Sequence, residues 1–379
     1  MAGERRVLAL DGLRGVAALS VLAFHCWLYA RPTPSMAMTS PAGHLWVEGR
    51  LGLVLFFVLS GFVLYGPWVR TARRREPSPD LRRYLVRRAA RILPAYYAAL
   101  VGSIALLWLA AGTPGVRLPP MGTLPLFAVF AQNLDPHSVM TLDPPMWTLS
   151  IEVAFYLLLP VIGCVALRAG ASRRNQALVP LTLVAVGLIW NACLAASGAL
   201  FPLDKLLPSA LPYFGAGMLA AVLLDAGHPI HRRRLILAGA GAVLIDVALH
   251  SGVLPGSAGQ LGLATIADLP AAAGFAAIMA GAVASNGGFL SSRPLVAAGA
   301  ISYGVYLWNV PLLLTLRSAA VLPLSALAAL PLVLGVTVGV ATLSWLVIER
   351  PVLRWTQRAA AVRSPRAARP RPAAASGRP

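Results

Sequence analysis

Ten stretches of about 20 predominantly apolar residues recur along the chain, and each is long enough to cross the hydrocarbon core of a bilayer as a helix. They lie at roughly 8–29, 51–69, 92–111, 146–167, 177–197, 206–224, 235–254, 261–283, 297–318 and 323–347. Only 12% of the 379 residues are charged, whereas about a quarter are charged in soluble domains. Backbone polar groups find no water in lipid, so single spanning stretches of this length are helical. We therefore predict an all-α, polytopic membrane helix bundle of about ten transmembrane helices.

One further apolar segment, residues 119–133, is shorter than the ten spans. It contains Pro119, Pro120 and Pro125, which do not favour a regular spanning helix. Apolar segments of this length are more typical of interfacial or re-entrant structure. We predict a short re-entrant or interfacial segment beside the ten helices.

The charge of the chain indicates its orientation in the membrane. There are 32 basic and 13 acidic residues, a formal net charge of +19. A basic balance can indicate nucleic-acid binding, but here the arginines fall between the apolar stretches. With the N-terminus in the cytoplasm, 26 of the 32 basic residues lie in cytoplasmic segments, as the positive-inside rule requires. We predict a multi-pass protein of the bacterial cell (inner) membrane, with both termini cytoplasmic, the lipid bilayer as a partner and no nucleic acid.

The composition changes near residue 355. Residues 1–355 contain all the predicted spans and form the predicted membrane domain. Residues 356–379 are rich in proline, alanine and arginine, and this composition predicts a disordered basic cytoplasmic tail. Its charge favours a position near anionic lipid.

The first span contains three ionisable residues, Asp11, Arg14 and His25. Ionisable groups inside spans are costly enough that each is a functional candidate. Asp11 and Arg14 are three residues apart and share one helical face, so a local ion pair is the structural interpretation. His25 has no acidic neighbour in sequence, and it is either a buried neutral histidine bonded to a carbonyl or a catalytic group. About 16 Å of helix separates it from Arg14, which places the arginine towards the cytoplasmic side.

An arginine-rich run leads into the third span. Arg88 and Arg91 are three residues apart, so their guanidinium groups share one helical face. Such paired forks suit a phosphate or diphosphate ligand. The alternative is an ordinary basic flank that anchors the span at the lipid headgroups.

Glu152 lies near the predicted outer end of the fourth span, within Trp-Thr-Leu-Ser-Ile-Glu. A carboxylate there can pair with a histidine of another helix and hold its tautomer. Alternatively, Glu152 is an interfacial residue with access to water. Ser150 either contributes to a site or bonds back to its own helix backbone.

Other polar residues in the spans are interpreted as structural. Asp246 and Asp268 both fall within spans. Asp268 precedes Leu-Pro, so we expect it to satisfy backbone donors at the proline kink. Glu349 is next to Arg350, and we expect a local salt bridge between them. The cysteines lack the spacing of a metal site, and we predict no metal; they are Cys26, Cys164 and Cys193.

Six sequence stretches occur in order and at suitable spacing. They are Leu-Asp-Gly-Leu-Arg-Gly-Val-Ala-Ala-Leu at 10–19 followed by Phe24-His25, Leu-Phe-Phe-Val-Leu-Ser-Gly-Phe at 55–62, Arg88-x-x-Arg91 with Ile-Leu-Pro-Ala-Tyr-Tyr, Trp147-Thr-Leu-Ser-Ile-Glu152 with Phe155-Tyr156, Ile-Ser-Tyr-Gly-Val-Tyr-Leu-Trp at 301–308, and Glu349-Arg-Pro351. Together these stretches resemble the membrane acyltransferase-3 superfamily. The resemblance covers essentially the whole chain from residue 8 to about 355. No esterase-like domain follows residue 355 in this sequence, so we expect the stand-alone version of the family.

The resemblance implies an integral membrane O-acyltransferase. Such proteins move an acyl group, often acetyl, from acyl-coenzyme A to a hydroxyl of a carbohydrate, glycolipid or macrolide-type acceptor, and acyl-coenzyme A is then a substrate rather than a bound cofactor. By the matching motifs, His25 is the expected essential histidine and Glu152 a second catalytic residue. Arg14, Arg88 and Arg91 are expected to bind the donor.

Five residues are the expected lining of the substrate pocket, with core packing as the alternative role. They are Trp147, Ser150, Tyr156, Trp308 and Asn309. Asn309 departs from the family, because many members have histidine at this position, and asparagine can hydrogen-bond but cannot titrate. The competing functions are a small-molecule transporter or lipid flippase without acyl transfer, and a non-catalytic membrane scaffold.

Overall fold

A computed structural model describes residues 8–30, 41–74, 76–225, 231–250, 268–284 and 288–363. All regular secondary structure in these ranges is helical, which confirms the predicted all-α class. The helices are α1 (Leu8–Ala30), α2 (Pro41–Val47), α3 (Leu51–Arg74), α4 (Leu81–Leu109), α5 (Leu124–Ala128), α6 (Met146–Ala169), α7 (Arg173–Ser197), α8 (Leu207–Asp225), α9 (Arg232–His250), α10 (Leu269–Ala284), α11 (Arg293–Ser318), α12 (Ala326–Ser344) and α13 (Arg350–Arg363). A π-helical turn, Trp345–Glu349, joins α12 to α13.

Each of the ten predicted spans contains a helix. Eight helical stretches in the described part of the chain are long and apolar enough to cross a membrane, which supports a multi-pass membrane protein. The other two predicted spans correspond to α9 and α10. The described part of α10 is only 16 residues long, and residues 251–267 between these helices lie outside the described ranges.

The predicted re-entrant segment contains no spanning helix. Its longest regular element is α5, which has five residues. Two tyrosines of α4 hold this segment: Tyr96 donates a hydrogen bond to the carbonyl oxygen of Phe127 at 2.7 Å, and Tyr97 donates one to Ala128 at 2.9 Å. The prediction that residues 119–133 do not form an eleventh span is confirmed.

The first eight residues of the predicted tail are part of a helix in the structure. Helix α13 continues to Arg363, so residues 356–363 are helical and directly follow the last apolar helix. Helix α13 packs against α4. Residues 364–379 lie outside the described ranges.

Helices α1 and α11 approach each other so closely that glycine is required at their contact. A Cβ atom on Gly299 would lie 1.9 Å from the carbonyl oxygen of Asp11, and one on Gly15 would lie 2.6 Å from the carbonyl oxygen of Leu295. Small residues permit this kind of backbone approach between membrane helices. The contact fixes the position of α1, which carries three of the ionisable residues named above.

Replacing Gly299 by alanine should destabilise the protein, because the added methyl group would meet backbone atoms that cannot rotate away. Overpacking of this kind costs about 1–3 kcal/mol. We expect a lower thermal midpoint of unfolding in detergent. The midpoint is measured by the reaction of a thiol-reactive dye with the buried cysteine as heating exposes it. Gly335 in α12 is a matched control, because a Cβ there has no neighbour within 4 Å. Equal midpoints for G299A and G335A would contradict this account of the contact.

Candidate active site

A cavity of about 620 Å³ lies among α1, α3, α4, α6, α11 and α13. Its polar lining groups fall into a basic set and a set with hydroxyl and carboxylate groups. The basic set is Arg14, Arg83, Arg87, Arg88 and Arg91, and the second set includes Ser60, Thr148, Glu152, Tyr156 and Tyr306. The structure therefore brings three residues predicted to bind the donor, Arg14, Arg88 and Arg91, to the same cavity as Glu152.

The cavity extends along α6. At one end the guanidinium group of Arg88 lies 5.9 Å from the ring of Tyr156. Thr148 also lines the cavity and precedes Tyr156 by eight residues, which is about 12 Å along a helix axis. The basic set and the Thr148 end are thus separated by roughly two turns of α6.

Arg83 and Arg87 were not singled out from the sequence, although a helical pattern could have indicated them. Together with Arg91 they recur at four-residue intervals, so they share one face of α4. Asp80 begins this helix by accepting a hydrogen bond from the backbone N–H of Arg83 at 3.0 Å, which is typical of an N-cap. All three arginines of this row line the cavity.

Two of the arginines are held by carboxylates. Arg14 donates a hydrogen bond to Asp11 at 3.2 Å, so the predicted local ion pair is present, and Arg14 also lines the cavity. Arg91 lies 3.6 Å from a carboxylate oxygen of Glu349. The predicted pairing of Glu349 with Arg350 is therefore wrong, because the π-helical turn brings this buried carboxylate to α4 instead.

Glu152 is held by two hydroxyl groups that also line the cavity. Ser60 of α3 donates to its carboxylate at 3.1 Å, and Tyr156 donates to the same oxygen across one helical turn. The histidine partner considered for Glu152 is not what the structure shows, because the hydrogen bond of His25 goes to Asn309. A direct role of Glu152 towards substrate stays a prediction.

Thr148 and Tyr306 meet near the end of the cavity that is remote from the arginines. Their hydroxyl oxygens are 2.7 Å apart, and Tyr306 donates to the carbonyl oxygen of Pro145 at 3.2 Å. Asn309 lies three residues after Tyr306 on α11, which is about one helical turn. Its amide nitrogen donates to the carbonyl oxygen of Tyr306 at 2.6 Å and to that of Val305 at 3.0 Å.

The hydrogen bonds of Asn309 determine which nitrogen of His25 carries the proton. The amide nitrogen of Asn309 faces two carbonyl oxygens, so its amide oxygen is the atom that faces His25 Nδ1, at 2.7 Å. An amide oxygen only accepts, so His25 Nδ1 must be the donor. The neutral ring then keeps its lone pair on Nε2, which is the form that a general base needs. No group in the described part of the chain bonds to that nitrogen.

Five residues predicted in or near the site do not line this cavity: His25, Trp147, Ser150, Trp308 and Asn309. His25 and Asn309 are both buried. Asn309 lies about one helical turn beyond Tyr306 on α11, and His25 of α1 is bonded to it. The ring of Trp308 packs closely against Gly102 of α4. Of the five expected pocket-lining residues, Tyr156 alone lines the cavity. Because Trp308 packs against Gly102, the alternative role of core packing fits this residue better.

The structure also corrects the role predicted for Asp268. Both carboxylate oxygens of Asp268 accept hydrogen bonds from Arg50 at 2.7 Å, so Asp268 does not serve the proline kink. That role belongs to Asp246, which accepts from the backbone N–H of Ala271 at 3.2 Å. Asp246, Asp268 and His250 come within 4.8 Å of one another, but the guanidinium group already on Asp268 makes this cluster an ion-pair network.

Asp143 is a buried carboxylate that the sequence analysis missed. It lies in the connection before α6, is 1% exposed, and neither of its carboxylate oxygens has a hydrogen-bond partner in the described structure. Burial raises the pKa of the Asp143 carboxyl well above its ordinary value, so the neutral acid is the favoured form.

Comparison with known proteins assigns the chain to a family. A family model described as an acyltransferase domain (Acyl_transf_3) matches residues 7–349. The chain belongs to this acyltransferase family. The resemblance seen in the six sequence stretches is thereby confirmed, and the arginine, Glu152 and Tyr306 groups of the cavity all lie within the matched region. Helix α13 begins one residue after that region ends.

The chain is similar to proteins with named activities. It is 23% identical over 339 residues to the peptidoglycan O-acetyltransferase OatA of Listeria monocytogenes, covering 82% of this chain and 50% of that protein. It is 33% identical over 162 residues to the acyltransferase MdmB of Streptomyces mycarofaciens, covering 41% of this chain and 39% of that protein. The chain therefore spans half or less of the length of these relatives. A search of solved structures found no match.

Replacing Asp143 by asparagine should stabilise the protein at high pH. The folded protein keeps a proton on Asp143 that the unfolded chain releases above about pH 4. Wild-type stability therefore falls as pH rises from there towards the raised folded pKa, by up to about 1.4 kcal/mol per pH unit. Asparagine does not titrate, so D143N should have the higher thermal midpoint at about pH 8 and a smaller advantage at about pH 5. A less stable D143N at the higher pH would show instead that Asp143 is ionised and held by a partner.

Proposed function

We propose that this protein is a membrane-bound O-acyltransferase that transfers an acyl group, preferentially acetyl, from acyl-coenzyme A to a hydroxyl of a carbohydrate, glycolipid or macrolide-type acceptor. The observation that carries the proposal is the cavity itself. One end has five arginines, and the other approaches a histidine whose partner fixes its proton on Nδ1. The family assignment and the named activities of the relatives support transfer over transport.

The basic set suits the donor better than it suits the acceptor. Coenzyme A carries several phosphate groups, and guanidinium groups bind phosphate through paired hydrogen bonds. Arg88 and Arg91 are held beside aromatic rings, with Arg91 5.9 Å from the rings of both Tyr303 and Trp345. These contacts limit side-chain motion before the donor binds, so less entropy is lost on binding.

The remote end suits the transfer step. The acceptor hydroxyl must lose a proton as its oxygen attacks the thioester carbonyl, and the coenzyme A thiolate leaves with the electron pair of the broken C–S bond. His25 Nε2 has the lone pair to take that proton. The route from the cavity to His25 passes the hydrogen bond between Thr148 and Tyr306, so in this proposal those two hydroxyls part when substrates bind.

The test is acyl transfer in purified proteoliposomes supplied with radiolabelled acetyl-coenzyme A and a panel of glycan, glycolipid and macrolide acceptors. H25A should lose about a hundredfold or more of the rate, as expected for removal of a general base. R88K should raise the KM for the donor about tenfold, because lysine lacks the fork. Arg174→Lys, in an exposed position on α7, is the matched control.

Two outcomes would contradict the proposal. If H25A transfers label as fast as wild type, His25 is not the base. If R88K and R174K have the same donor KM, the arginines do not hold the donor. A transport-only protein would move a labelled acceptor across the vesicle membrane in the absence of any acyl donor.

Asn309 provides a second test, because it acts through His25. Replacing it with alanine removes the acceptor for Nδ1–H, so a share of His25 will carry its proton on Nε2. We expect kcat to fall about tenfold or more while donor KM is unchanged. The pH–rate profile of wild type should show one ionisation, and N309H should add a second. Asn191→Ala on α7, which also removes a side-chain bond to a backbone carbonyl, should change neither quantity.

A further inference from the structure

Helix α13 forms part of the cavity wall although it lies beyond the region shared with the family. Leu353, Thr356 and Gln357 line the cavity, and their three- and four-residue spacing places them on one helical face. The helix follows the π-helical turn that carries Glu349, the partner of Arg91. Its position is therefore linked to the basic set of the cavity.

A second face of α13 carries a row of arginines. Arg350, Arg354 and Arg358 recur at four-residue intervals and are all exposed. None of the three forms an ion pair within the described ranges, and the sequence from residue 350 to 379 contains no acidic residue. Three cations on one face without a protein counter-charge require an anionic partner or bulk solvent.

An exposed aromatic residue indicates which anionic partner fits. Trp355 is 69% exposed and lies next to the arginine row. Helix α4, against which α13 packs, exposes Leu81 and Val86 beside its own arginines. Indole rings and apolar side chains beside arginines are typical of a helix in the headgroup layer of a membrane. A soluble phosphate would leave the tryptophan and these apolar side chains in water.

We propose that Arg350, Arg354 and Arg358 bind the phosphate groups of anionic phospholipids, and that this contact holds α13 in place as a wall of the cavity. The lipid contact itself needs no enzymatic activity. Its consequence for donor binding rests on the proposed function, because it assumes that the cavity takes the acyl donor. Anionic lipid content would then control how tightly the donor is held.

The lipid contact is tested by hydrogen exchange of α13 amides in nanodiscs of phosphatidylcholine, with or without phosphatidylglycerol. Each arginine at an anionic surface strengthens binding about fivefold, so three predict that phosphatidylglycerol slows exchange in residues 350–363 about tenfold or more. The R350Q/R354Q/R358Q variant should show no such slowing. The control R168Q/R173Q/R174Q, which removes three exposed arginines around the α6–α7 turn, should respond as wild type does.

Three results would overturn the lipid contact. They are equal exchange in both kinds of nanodisc, an unchanged response in the arginine-row variant, and the same slowing caused by coenzyme A alone in phosphatidylcholine nanodiscs. The last would assign the row to the soluble donor.

The consequence is tested separately by donor KM in the same nanodiscs. In phosphatidylglycerol the arginine-row variant should show a KM about threefold or more above that of the control triple variant, with kcat unchanged. Slowed exchange without a KM difference would overturn the link to the cavity and leave the lipid contact standing. Slowed exchange in a protein that transfers no label would reject the proposed function alone.

Discussion

The close contact between α1 and α11 is the constraint on which the site depends. Glycines at this contact bring the two backbones together, and the helices then carry their polar side chains into register. One consequence is the bond between His25 and Asn309. Another is that Arg14, about three turns away on α1, faces the cavity. A wider separation of these helices would remove the partner of the histidine and move the arginine away from the other basic residues.

Much of the fold was predictable from the sequence because the governing forces are local. Spans follow from the length of apolar runs, and helix formation follows from the lack of water in lipid. The arginines of α4 were also predictable as a cluster, since a helix places residues three or four apart on one face. The pair Asp11 and Arg14 was found for the same reason.

The pairings between helices were not predictable in this way. Glu349 lies beside Arg350 in sequence, yet its partner is Arg91 of α4. Asp268 was expected to serve its own proline kink, yet it binds Arg50, more than 200 residues earlier. In each case tertiary packing selects among several available cations, and spacing along the chain carries no information about that choice. The burial of Asp143 was not predictable from the sequence, because it depends on how the connection before α6 folds over the bundle.

The π-helical turn sets the rotational phase of the C-terminal helix. A π-helical hydrogen bond joins residues five apart, so a π turn contains one residue more than an α turn. One residue corresponds to about 100° of helical rotation. The side chains of α13 are therefore rotated about the helix axis relative to those of α12, because Trp345–Glu349 contains one extra residue. A chain one residue shorter here would form a continuous α-helix of nearly the same composition. Its arginine row would point in a different direction. This single backbone irregularity therefore sets how the arginine-bearing and cavity-facing surfaces of α13 are oriented.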